Sequence, residues 1–381
     1  MTSISHLSDI STPAALIDEV RMLRNITRMQ QRMTALGVRF RPHVKTTKCI
    51  EIASRQRSAG ASTIAVSTLK EAEQFCMAGF TDVLYAVCIT PAKLDRALTL
   101  CRRGCRLTLL VDSMACAHAI VAKGREEKYD FEVMIEIDSD GHRSGIQADD
   151  PTLIEIGRML QHRGGSLKGV LTHAGSSYAL DTPDALRQLA DQERAECIRA
   201  ADKLRSAGLS CPEVSVGSTP TALSAATFEG VTEVRAGVYV LFDLVMANVG
   251  VCTREEIALS VLATVIGHQV DKGWVIVDAG WRAMSRDRGT QRQKVDYGYG
   301  AICDEDGNLI EGFVLTGVSQ EHGIASRRDG KLDSNVARRF PIGARLRILP
   351  NHACATSAQF SEYQVLTAHS GVQTWRRFDG W

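Results

Sequence analysis

The segment VRFRPHVKTTKCIEIASRQRSAGASTIAV, residues 38–66, decides how the rest of the chain is read. A strand-like run over residues 38–44 gives way to a helical stretch over 49–59, and a short second strand follows at 62–66. Upstream, residues 18–36 space Val20, Leu23, Ile26, Met29, Met33 and Leu36 as the stripe of an amphipathic helix, which Gly37 closes. Downstream the alternation continues. Strand-like cores recur at 82–87, 105–111, 131–137, 168–172, 213–216 and 232–236, with helical stretches at 69–77, 92–102, 151–161 and 183–207 among them. Eight strands alternating with helices predict a closed parallel (β/α)8 barrel over residues 17–247, although a doubly wound open sheet gives a similar pattern.

Beyond Asn248 the texture changes. Runs at 257–267, 273–278, 309–317 and 345–349 are β-rich and separated by Gly-containing turns, which predicts an antiparallel β domain over 248–381, with residues 1–16 adding a strand to it. Composition fits a folded protein with a small partner: 44% hydrophobic and 23% charged residues, and a net charge of +1 that provides no basic field for nucleic acid or an anionic membrane. No apolar run approaches the ~18 residues of a membrane span, and residues 1–12 lack a signal-peptide pattern, so a cytoplasmic location is expected. The 11 cysteines, scattered from Cys49 to Cys354 without a C-x-x-C pair, are expected as reduced thiols, mostly small buried side chains.

Chemistry is expected where barrel strands end. Arg41-Pro42-His43-Val44-Lys45-Thr46-Thr47-Lys48 closes the first strand, so Lys45 would enter the barrel mouth, where desolvation and the charges of Arg41 and Lys48 favour a neutral, nucleophilic amine. Such an amine forms Schiff bases with carbonyl compounds, pyridoxal 5'-phosphate (PLP) among them; the plain alternative is a solvated lysine. After the seventh strand, Gly217-Ser218-Thr219-Pro220-Thr221 offers backbone N–H groups and hydroxyls for a dianion, and Gly237, after the eighth, could complete that cradle. The loops after the fifth and sixth strands deliver Arg143 and Tyr178 to the same mouth, as ring contacts or as packing. In the β domain, His352 and Cys354 stand two apart, so an extended segment would face both to one side, a pair suited to zinc with positions left open, or a metal-free buried pair.

Together these motifs resemble the fold-type III PLP enzymes of the D-serine dehydratase and D-threonine aldolase group. The likeness runs from Thr12-Pro13-Ala14 through Arg-Pro-His-x-Lys at 41–45, Gly-His-Arg-Ser-Gly at 141–145 and Gly-Ser-Thr-Pro-Thr at 217–221 to His-x-Cys at 352–354. It implies an alanine racemase-like barrel and PLP bound to Lys45. The phosphate would be held by Ser218, Thr219 and the backbone of Gly237, Val238 and Tyr239, with Arg143 and Tyr178 at the ring. It also implies zinc or a similar divalent ion (Mn2+ or Co2+) on His352 and Cys354, and a homodimer. Relatives that cleave D-threonine typically carry His-x-Asp where this chain has Cys354, which favours dehydration over retro-aldol cleavage to glycine and an aldehyde. The implied reaction is β-elimination of water from a D-3-hydroxy amino acid and hydrolysis of the resulting enamine to a 2-oxo acid and ammonia, D-threo-3-hydroxyaspartate giving oxaloacetate and D-serine giving pyruvate. A PLP-binding protein without turnover is the non-enzymatic alternative.

Overall fold

In the computed structural model, which describes residues 7–367 and 371–381, the opening segment folds as the strand Arg39–Pro42, the helix Ile50–Ser58 and the strand Ile64–Val66. The strands Asp82–Cys88, Arg106–Val111, Phe131–Ile137, Gly165–Thr172, Glu213–Val216 and Glu233–Ala236 extend this into an eight-stranded parallel sheet in chain order. The first strand also pairs with the last, Arg39 opposite Glu233, so the sheet curls into the expected barrel. Its seam between the first two strands is thin, a single parallel bridge from His43 to Ala65. Pro42 brings no N–H to that seam, and the Arg41 guanidinium reaches the Ile64 carbonyl at 3.1 Å instead.

The barrel interior has two characters. Ala65, Leu84, Leu110, Met134 and Leu171, one from each of the second to sixth strands, form an apolar cluster. The first, seventh and eighth strands, with the half-buried Asp82 at the start of the third, supply a polar chain: Arg41 donates to Glu233 at 2.7 Å and to Asp82 at 2.8 Å, Ser215 donates to Glu233 at 2.8 Å, and Arg235 donates to Ser215 at 2.7 Å. Every member of this chain has a partner, which is what makes buried charge tolerable.

The second unit is antiparallel. Its strands Leu259–Gln269, Trp274–Val277, Gly323–Arg327, Leu309–Val318, Gly300–Cys303 and Arg345–Pro350 pair successively, and the last pairs back to the first, closing a small barrel. Alternate residues point inward, among them Val261, Ala263, Val265, Val275, Val277, Phe313, Leu315, Leu346 and Ile348. A register shift between Val265 and Gly267 lets the strand Leu259–Gln269 pair with Trp274–Val277 beyond it, while Leu259–Leu262 pair with the strand Ala14–Asp18. That strand pairs in turn with Glu362–Leu366, and the latter with Val372–Arg376.

The N-terminal strand therefore comes from Ala14–Asp18; of the expected 1–16 stretch, residues 7–9 form a single 3-10 turn, while residues 1–6, like 368–370, lie outside the described residues. The units divide at 26/27 and 237/238, so residues 17–26 and 238–247, expected with the first barrel, fold with the β unit. Side chains give the reason. Asn25 donates to the Glu256 carbonyl at 2.9 Å, Arg21 to that of Ile257 at 3.2 Å, and Asp243 accepts the Ala353 N–H at 2.9 Å. All 11 cysteines are free thiols. No helix among the described residues is long and apolar enough to cross a membrane.

Candidate active site

Lys45 lies in the one-turn 3-10 segment Val44–Thr46 directly after the first barrel strand, with its side chain exposed. Its expected cationic neighbours are otherwise engaged: Arg41 is locked to Glu233 and Asp82 inside the barrel, and Lys48 pairs with the fully buried Glu71 at 3.3 Å. The Lys48–Glu71 pair instead pins the loop that carries Lys45. The charge of Lys45 is felt by two imidazoles. Burial holds His43 well below the ordinary histidine range, and Lys45, Arg235 and His173 push it the same way. His173, following the strand Gly165–Thr172, is lowered to about 3 by burial and then by Lys45, Arg143 and Arg235. His173 Nδ1 lies 3.0 Å from the Gly217 carbonyl, so Nδ1 carries the proton and Nε2 is left as an acceptor. Two neutral imidazoles amid three cations describe a positive field, suited to an anionic ligand.

The loop after the seventh strand answers that field. Gly217 sits at φ +130°, and a Cβ there would lie 2.2 Å from the Arg235 carbonyl oxygen. Only glycine fits. Ser218 caps the short helix Thr219–Ser224, and its hydroxyl lies 2.9 Å from Ser177 Oγ and 3.0 Å from Thr221 Oγ1, a buried chain of three hydroxyls. Thr219 is equally buried. Gly237 follows the eighth strand, where a Cβ would crowd the His43 carbonyl at 3.0 Å and Thr46 Oγ1 at 3.2 Å. Val238 and Tyr239, both buried, open the other unit. Tyr178 stands on the 3-10 segment Gly175–Ala179 with its ring 6.2 Å from that of His173. Arg143 is 55% exposed and 3.5 Å from Glu136.

In the β unit, His352 and Cys354 are not on an extended segment. His352 is the extended N-cap residue of the helix Ala353–Ser357, and Cys354 lies in its first turn, an arrangement that hydrogen-bonds imidazole to thiol. Asn351 fixes the entry, donating to the carbonyls of Gly298 at 2.7 Å and Asp287 at 3.0 Å. The Asp287 carboxylate lies 2.9 Å from His352 Nδ1, which leaves Nε2 for a metal. Partial burial opposes charge on His352, yet Asp287, Cys354 and Asp243 together lift it to about 11. One proton thus sits among three potential anions, and a divalent cation would take its place.

A second set of metal-type donors, Cys88, Asp112 and Glu136, gathers within 4.8 Å at three successive barrel-strand ends. Burial and both carboxylates keep the Cys88 thiol protonated, and it donates to Glu136 at 3.1 Å. That set lacks the oriented imidazole of the β unit. Sequence reading passed over it because its members come from three strands. It also passed over Ser177, Arg235, Asp287 and Glu193, of which only Glu193 leaves a trace, as an acid within the inward stripe of the helix Pro183–Ser206.

The donor sets fit the groups expected of them. An exposed amine at a strand end, buried hydroxyls, two glycines where a Cβ would intrude and a cationic field suit PLP; an oriented imidazole beside a thiol suits a soft divalent ion. Known proteins resemble this chain over nearly its whole length. Residues 17–244 match the family of alanine racemase N-terminal domains, and residues 258–366 match a serine dehydratase domain family. The chain is 66% identical to D-threo-3-hydroxyaspartate dehydratase of Delftia sp. (strain HT23), over 98% of its own length and 99% of the relative's. The solved structure of that enzyme superposes with a TM-score of 0.98, covering 99% of this chain and 100% of the other. A cysteine-to-alanine variant of it, solved in a metal-free form, also gives 0.98, with 99% and 100% covered at 66% identity. D-serine dehydratase of Dictyostelium discoideum is 32% identical over 94% of each chain.

Proposed function

The chain belongs to the alanine racemase-like fold-type III family, in its D-serine dehydratase group, and from that premise we propose that it is a PLP- and metal-dependent dehydratase of D-3-hydroxy amino acids. The preferred substrate in this reading is D-threo-3-hydroxyaspartate, converted to oxaloacetate and ammonia, with D-serine to pyruvate as a secondary activity. The observation that carries it is the 66% identity to D-threo-3-hydroxyaspartate dehydratase over 98% of the chain.

Lys45 would hold the cofactor through its amine and would serve as the base for the proton on the substrate Cα. PLP, when bound, supplies the electron sink that makes this proton removable. Ser218, Thr219 and the Gly237 turn receive the phosphate, with the cationic field around His173 favouring it. Arg143 and Tyr178 hold the ring. His352 Nε2 and Cys354 Sγ are the ligands proposed for a zinc-like ion, whose Lewis acidity would ease departure of the 3-hydroxyl, while Asp287 orients the imidazole. Water leaves by β-elimination, and hydrolysis of the released enamine, through its imine tautomer, gives the 2-oxo acid and ammonia. We take the enzyme to be cytoplasmic, in keeping with its 11 free thiols, and a homodimer, which sedimentation of the intact protein decides.

The test is exhaustive chelation followed by zinc. Ammonia release from D-threo-3-hydroxyaspartate should fall with the metal content and return on adding zinc. Undiminished release from protein shown to be metal-free would contradict the metal's role.

A further inference from the structure

Glu193 is a carboxylate where the pattern of its helix calls for an apolar side chain. The inward stripe of Pro183–Ser206 runs Leu186, Leu189, Ala190, Glu193, Cys197, Ala200, Ala201 and Leu204, and Glu193 is 1% exposed. Ionised or not, a buried carboxyl must find hydrogen-bond partners, and this one finds them in backbone. Its Oε1 accepts the Ala174 N–H at 2.9 Å and the Gly217 N–H at 3.1 Å. The Thr221 hydroxyl is also in hydrogen-bond reach.

These contacts join two barrel loops at the points that matter. Ala174 follows His173, and Gly217 precedes Ser218. Gly217 is gripped on both sides, its N–H by Glu193 and its carbonyl by His173 Nδ1 at 3.0 Å. With Gly217 fixed, the Ser218 N–H meets Thr221 Oγ1 at 3.0 Å and the Ser177, Ser218 and Thr221 hydroxyls fall into line. Two backbone N–H groups from different loops on one buried carboxyl oxygen hold both loops in one arrangement.

We propose that Glu193 is the positioning residue of the phosphate cradle, setting the Ala174 and Gly217 amides so that the three hydroxyls stand ready for the phosphate of the cofactor. The proposal rests on the reading that this barrel binds PLP. Glu193 touches neither cofactor nor substrate; it acts through Gly217.

Its test compares PLP with pyridoxal, which shares the aldehyde and ring but lacks the phosphate. Both are titrated into cofactor-free full-length protein and followed by the visible absorbance of the bound form. Glu193→Ala should lower the ratio of PLP affinity to pyridoxal affinity about tenfold, while Glu193→Gln, which keeps a carbonyl oxygen in place, should recover it to within about threefold of the parent. Equal weakening of both ligands, or no change in either, would overturn the proposal. If Glu193→Ala does not fold, Glu193→Asp carries the test: withdrawing the carboxylate by one methylene should lower the ratio about threefold, and an unchanged ratio would overturn the proposal. A parent protein that binds neither ligand would instead refute the PLP reading.

Discussion

The two candidate sites are assembled in opposite ways. In the barrel unit, strand ends scattered from Lys45 to Gly237 each contribute one or two groups, and buried partners such as Glu71, Glu193 and Arg235 hold them. In the β unit, the two proposed ligand residues are almost adjacent in sequence, and one capping turn with Asn351 and Asp287 behind it does the positioning. The first arrangement places precision in the network, the second in a local turn. Each should therefore fail independently of the other.

The largest expected effect is at the node of the first site. Lys45→Ala should abolish the visible band of bound cofactor and lower kcat by about a thousandfold or more, without touching metal content. Persistence of the band would show the lysine assignment to be wrong. Removing ligands from the second site should do the reverse. Cys354→Ala or His352→Ala should empty the metal and lower ammonia release about a hundredfold, whereas PLP titration stays at parent affinity. Asp287→Asn should be milder, about tenfold in metal affinity measured by competition with a chelating dye.

Smaller effects probe the scaffolds. Gly217→Ala asks a Cβ to sit 2.2 Å from the Arg235 oxygen at φ +130°, so a loss of about 2–3 kcal/mol in denaturant unfolding is expected, with weaker PLP binding. The smallest concerns pH. His173 is lowered to about 3 in the fold, by burial and the cations Lys45, Arg143 and Arg235, against 6.5 as its ordinary value. The unfolded chain thus takes up a proton first as pH falls, and the stability due to the neutral ring is complete above about pH 6.5 and lost towards pH 3. After allowance for solvent screening this is of the order of 1–3 kcal/mol in cofactor-free protein. His173→Asn should flatten that acid limb in thermal melts taken between these limits.

What could be read from the chain follows the same division. The barrel was legible because apolar strand cores recur with helices between them, and Phe131–Ile137 and Glu213–Val216 fall where the pattern put them. The β unit was legible only in part. Its strands Gly300–Cys303 and Gly323–Arg327 are short and rich in small residues, so alternation gave no warning of them. Residues 238–247 looked like barrel, and only tertiary bonds such as Asp243 to Ala353 draw them into the other unit. At the sites, the strand-end rule singled out Lys45 and the Gly217 turn. It misjudged Arg41 and Lys48, whose charges answer buried carboxylates that no local spacing reveals. His-x-Cys was visible as spacing, but its geometry is that of a helix cap, which depends on the distant Asp243 and Asp287.

Dehydration breaks the bond between Cβ and the hydroxyl oxygen and spares Cα–Cβ. Incubating the zinc-loaded holoenzyme with D-threo-3-hydroxyaspartate and quantifying oxaloacetate, ammonia, glycine and glyoxylate together shows which bond is cut. Dehydration predicts oxaloacetate and ammonia in equal amounts with no glycine. Glycine and glyoxylate in equal amounts without ammonia would mean that the Cα–Cβ bond had broken instead, and would contradict the dehydratase reading.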